Sequence, residues 1–188
     1  MGQVRALSCF LHTVFNPNFE SSIRKENMKF IFLLTIFFTA HQGFSNEING
    51  KVVVIVDGNT IDVESAENGI QRIVLAGIDC PELEQEYGDA ARKFLEKLVY
   101  RKNVSVQLLS KDRFGNYVGV VRLSDDQDVR VELLKAGLAW TRENDPDETL
   151  DAYRKWAQQK GKGLWKNPDA TAPWTFRRQQ SMVQPKSS

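Results

Sequence analysis

The sequence predicts a mainly β domain with α, a five-stranded barrel of the OB type with about three helices, on three observations. Strand-like runs come as a set of three and then a set of two, a segment of helical period separates the sets, and turn residues punctuate the runs. No internal repeat breaks the order βββαββαα.

In chain order, "KVVVIVDGNTIDVES" reads as strands over Lys51–Val56 and Thr60–Glu64, joined by a DGN turn whose residues tolerate positive φ. A third strand, Arg72–Ile78, follows the turn at Glu67–Gly69 and completes an antiparallel meander. Between Tyr87 and Tyr100, Ala91, Phe94, Leu95, Leu98 and Val99 fall at i, i+3, i+4, i+7 and i+8, one face of an amphipathic helix. Asn103–Leu109 and Tyr117–Leu123 are the last two strands, around the polar loop "SKDRFGN". Val131, Leu134 and Leu138 mark a short helix weakened by Gly137. "DPDE" at Asp145–Glu148 offers an N-cap, a proline at N1 and a glutamate at N3 for a last helix that reaches Lys160 and stops at Gly161 or Gly163.

At 188 residues, 41% hydrophobic and 26% charged, the chain has a globular composition. Residues 1–45 read as a leader: Lys29 precedes the apolar run Phe30–Ala40, and Gly43 and Ser45 supply small residues for cleavage after Ser45. The run is shorter than the ~18–20 residues of a bilayer span. The expectation is an exported protein, with translation starting at Met28 rather than Met1. A barrel domain over 46–166 and a basic tail over 167–188 follow.

His12, His41 and Cys9 all fall in the leader, so the domain holds no histidine and only Cys80. That excludes Ser-His and Cys-His relays and ordinary Cys/His zinc sites. What remains is the chemistry of carboxylates, arginines, lysines and a hard, oxygen-bound metal. From residue 46 onward there are 21 basic and 22 acidic residues, which does not describe a strongly basic nucleic-acid binder. Charge is uneven, however: beyond Gln158 six basic residues face a single acid, Asp169. Such an end can follow a phosphate backbone or serve only for solubility.

"RIVLAGIDCPE" ends in two carboxylates, Asp79 and Glu82, around Pro81. The pair can hold a metal ion and a water, or form a solvated turn. Trp140, Tyr153, Trp156, Trp165 and Trp174 can stack bases or fill helix joints.

Six segments in order, "VDGNTIDV", "GIDCPE", "YGDAA", "KDRFGN", "ELLKAGLAW" and "KGKGLW", resemble the staphylococcal nuclease-like, or thermonuclease, family across about residues 48–166. The resemblance implies a calcium-dependent phosphodiesterase in which two aspartates and a backbone carbonyl hold the ion, a glutamate handles water, and two arginines bind the phosphate. By motif these roles fall on Asp79, the Cys80 carbonyl and Glu82, while Asn59 stands where the other metal aspartate is usual. Asn59 keeps an oxygen without the charge, so calcium should bind weakly, with Asp57 able to help only from outside the ligand set. Val74 and Asn116 occupy the two arginine positions.

Arg72 and Arg113 are the nearest candidates for phosphate contact. Arg72 lies about 6.6 Å along the strand from the position it would have to replace, against a placement tolerance of about 1 Å. These departures predict a domain with lost or strongly weakened cleavage that binds nucleic acid or a protein. The alternative is an active calcium-dependent endonuclease.

Overall fold

The structure is a computed structural model that describes residues 46–144 and 146–183. The leader, the Met28 start and the Ser45 cleavage point lie outside them. Five strands close a barrel: β1 (Glu47–Ile55), β2 (Thr60–Ser65), β3 (Gly69–Leu75), β5 (Asn103–Lys111) and β6 (Tyr117–Leu123). β1, β2 and β3 form the expected antiparallel meander, β6 joins β3 in parallel, and β5 returns to β1. The barrel fold read from the sequence is therefore present.

Alternation fills its interior. Val52, Ile61, Val63, Ile73, Leu75, Val104, Val106 and Val121 are almost wholly buried. Helix α1 (Gly88–Val99) adds Ala91, Leu95 and Val99 to the same core, the face its period predicts.

The third expected strand is cut in two. Gly77 takes φ 74° and redirects the chain after β3, so Ile78 and Asp79 form a separate short strand, β4, paired with β7 (Trp140–Thr141). Helix α2 (Val129–Lys135) ends before Gly137 instead of containing it. Gly137 adopts φ 71°, and Gly137 N and Leu138 N donate to Leu134 O and Leu133 O, a Schellman closure that needs a residue without Cβ. A Cβ there would also meet Lys162 O at 2.2 Å, which brings the AGL and GKG motifs backbone to backbone.

Helix α3 (Glu148–Gln159) is capped by Asp147, whose carboxylate accepts from Thr149 N and Leu150 N, so it starts two residues later than expected; the expected cap, Asp145, lies outside the described residues. A single 3₁₀ turn, Gly163–Lys166, follows. A fourth helix, α4 (Pro173–Val183), occupies half of the segment read as a basic tail. Trp140, Trp165 and Trp174 join α4 to the domain, with ring centroids 4.4 Å apart for Trp140–Trp165 and 5.7 Å for Trp140–Trp174.

Asp151 on α3 fixes β7 from beneath. It accepts from Arg154 Nε at 2.7 Å and Thr141 Oγ1 at 3.0 Å, and pairs with Lys155 Nζ at 3.0 Å. The Arg154 hydrogen bond, ahead of those from Lys155 and Thr141, lowers its pKa from 3.8 to about 2. A carboxyl depressed in the folded state stabilises it above the unfolded value, and that contribution is lost as pH falls through the folded one. Asp151→Asn is expected to lower stability at pH 7 by on the order of 2 kcal/mol. The gap should close between pH 4 and pH 2, as read by thermal melting across pH.

Candidate active site

The residues singled out in the sequence gather at one end of the barrel. The DGN turn closes on itself: Asp57 Oδ1 accepts from Asn59 N at 2.8 Å, and Asn59 O accepts from Leu75 N at 2.8 Å. This holds Asn59 beside the end of β3, and ties Asp57 to the turn's own backbone. Cys80 turns its thiol inward, donating to Gly58 O at 3.1 Å, and burial pushes the thiol pKa well up. It is an inert staple between the two loops.

Glu82 is set by the start of α1. Glu82 O accepts from Gln85 N at 2.9 Å, and Gly88 N donates to Gln85 O at 2.9 Å. A Cβ on Gly88 would overlap Glu82 O, so the glycine of the YGDAA motif lets the helix press against the turn that carries this carboxylate.

Asp79 and Glu82 converge on one cation, the guanidinium of Arg177 from α4. Arg177 Nη1 donates to Asp79 Oδ1 at 3.2 Å and to Glu82 Oε1 at 2.6 Å, and Nη2 donates to Asp79 Oδ2 at 2.7 Å. The Asp79 hydrogen bonds raise the Arg177 pKa further above its already high value, so it stays charged throughout. Beside this contact lies a cavity of about 500 Å³, bordered by Asn59, Val74, Asp79, Arg142, Trp174 and Arg177 among others.

The two positions read for arginine diverge. Val74 is half-buried at the cavity wall, paired with Thr60 and Val118. Asn116 sits in the β5–β6 turn, donating from Nδ2 to Asp112 Oδ2 at 2.8 Å and keeping the Asp112 pKa low. Arg72 is held by Asp62 across β2–β3, with contacts of 2.8 and 3.0 Å. Arg113 stacks over Phe114, 4.7 Å from the ring centroid. Neither borders the cavity.

The guanidinium groups that do border it are Arg142, to which the sequence assigns no role, and Arg177, which the sequence places only in a basic end able to follow a phosphate backbone. Arg142 follows β7, and Arg177 rides on the helix read as a tail. Pro173 before an eleven-residue stretch free of further proline and of glycine was the available signal for that helix.

Fold and site together define an OB-type barrel domain whose end cavity combines carboxylates that hold a cation with guanidinium groups suited to an anion. The chain belongs to the staphylococcal nuclease family: the sequence pattern described as "Staphylococcal nuclease homologue" matches residues 72–167. It is 34% identical over 145 residues to an "Uncharacterized endonuclease" of Escherichia coli O157:H7, covering 77% of this chain and 94% of that one. An "Uncharacterized endonuclease" of Haemophilus influenzae is 34% identical over 151 residues, 79% of this chain and 84% of the relative. A "Micrococcal nuclease" of Shigella flexneri is 34% identical over 143 residues, 70% of this chain and 82% of the relative.

Proposed function

We propose that this chain is a calcium-dependent nuclease that hydrolyses phosphodiester bonds of nucleic acid at the Asp79–Glu82 end of the barrel, and that it works after export. The carrying observation is the convergence of both carboxylates on Arg177 beside a cavity that Arg142 also borders. The leader pattern over residues 1–45 supports the export.

The residues fit a hard cation. Asp79 and Glu82 supply carboxylate oxygens, Asn59 at the same cavity has an amide oxygen to offer, and the positive guanidinium of Arg177 between the acids supports a cation there. Asp79, Asn59 and the Cys80 carbonyl would hold calcium, weakly for want of a second aspartate. Bound there, calcium supplies Lewis-acid polarisation of the phosphate. Glu82 takes the proton of the attacking water, a role a carboxylate must fill in a domain without histidine. Guanidinium groups at the cavity hold the phosphate and offset the charge that develops on it.

Val74 and Asn116 favour a second reading, a nucleic-acid or protein binding module with cleavage lost. Incubating the purified protein with single-stranded and duplex DNA, in calcium or in chelator, separates the two. Calcium-dependent fragments are expected. Intact DNA with salt-dependent binding would move the assignment to the second reading, because phosphate contacts release counterions.

A further inference from the structure

We propose that Arg142 is the phosphate-gripping residue of this site, taking over from the β7 segment the work that a side chain at position 74 cannot do. The inference rests on the nuclease reading for its place in the reaction. Its binding arm below stands without it.

Placement follows from register. Asp79 pairs with Trp140 and Ile78 with Thr141, and Arg142 N donates to Gly77 O at 3.2 Å, which continues the ladder by one step. Side chains alternate along extended strands, so Arg142 shares a face with Asp79 while Ile78 and Thr141 point the other way. Burial agrees: Ile78 and Thr141 are buried, whereas Arg142 is exposed and borders the cavity with Asp79, Asn59 and Val74. Two steps of strand separate Arg142 from Asp79, about 7 Å along the ladder. A phosphodiester can span that interval with one oxygen toward the carboxylate-held cation and another toward the guanidinium.

Charge points the same way. With no ion between the acids, the state the chelator arm measures, Arg177 is committed to Asp79 and Glu82, and Glu143 at the cavity rim is paired with Arg178 at 3.0 Å. Arg130, behind the same strand ends, is paired with Asp128 at 2.7 Å. Among the described residues Arg142 pairs with no carboxylate. Val74, with no long side chain, leaves the volume beside Arg142 open. A bidentate guanidinium is the group that matches two phosphate oxygens.

The test uses Arg142→Gln, Arg142→Lys and the double variant Arg142→Gln with Val74→Arg, all at exposed or half-exposed positions, with folding checked by melting temperature. Two quantities are measured: binding of a fluorescein-labelled single-stranded oligodeoxynucleotide in chelator at several salt concentrations, and cleavage of the same strand in calcium. Arg142→Gln is expected to weaken binding, to reduce the slope of log affinity against log salt by about one, and to lower cleavage by about 10²-fold. Lysine should recover the slope but not the cleavage, since it lacks the planar fork. Val74→Arg in the glutamine background should regain at least about tenfold in cleavage, because it restores a guanidinium to the same cavity. A wild-type protein that never cleaves, while Arg142→Gln still loses the slope, would remove the nuclease reading and keep Arg142 as the phosphate contact. Binding and salt slope unchanged in Arg142→Gln overturn the proposal, whatever the cleavage shows.

Discussion

Asp79→Asn is expected to reduce calcium-dependent cleavage by at least about 10³-fold, equivalent to raising the barrier by about 4 kcal/mol. The magnitude follows from the poverty of the site. Asn59 already offers a neutral oxygen where an aspartate is usual in the family, so Asp79 supplies the charge that remains among the proposed direct ligands. Calcium affinity depends on how many charged oxygens meet the ion, and a second neutralisation leaves only Glu82 to oppose it. Folding should survive, because the β4–β7 pairing is made by backbone and Ile78 is the buried member of β4. An isothermal calcium titration beside a cleavage time course, on protein of unchanged melting temperature, measures both consequences. Cleavage by the asparagine variant within threefold of wild type would place the cation elsewhere and remove Asp79 from the mechanism.

The barrel was legible because each strand obeys a local rule. Tyr117–Leu123 matches β6 end to end, since its β-branched and aromatic residues, broken only by Gly119 and Arg122, lie between a DRFGN turn and a polar loop. The Arg72–Ile78 reading overran the strand, because Gly77 looks like any residue of an apolar run until its φ is known. The DPDE motif points to Asp145 as the cap because proline then falls at N1 and glutamate at N3, whereas the helix begins at Glu148 and the capping hydrogen bonds go to Asp147. Asp79 and Glu82 could be brought to one turn from the sequence because only Cys80 and Pro81 separate them. Arg142 and Arg177 could not: they lie 63 and 98 positions beyond Asp79, and no local pattern encodes contact across such distances. The arginine count at positions 74 and 116 was correct as sequence, yet it described two positions rather than the cavity, which the chain also lines from β7 and α4.

Arg177→Gln is expected to tighten calcium binding by about tenfold. The guanidinium and the ion need the same oxygens: both oxygens of Asp79 and one of Glu82 accept from Arg177. Calcium must therefore displace the side chain, and its apparent affinity falls by the fraction of molecules in which the notch is open. Arg177 is about half exposed, with 49% of its side chain accessible against 18% for Asp79, so solvent screens the pair and a single ordinary contact would contribute only about 0.2–1 kcal/mol. Bidentate geometry to one carboxylate and a further bond to a second raise the total toward about 1.4 kcal/mol, which corresponds to tenfold. Helix α4 should stay docked in the variant, since Pro173 is buried, Trp174 packs on Trp140 and Arg178 holds Glu143. The comparison therefore isolates the guanidinium from the helix. Because the competing pair is electrostatic and exposed, raising the ionic strength should narrow the difference between the two proteins beyond any general weakening of calcium binding. Tryptophan fluorescence during a calcium titration would follow Trp174 against Trp140 in wild type as Arg177 leaves the acids. Equal calcium affinity in wild type and Arg177→Gln would show that Arg177 and the ion do not compete, and would move the cation away from the notch between Asp79 and Glu82.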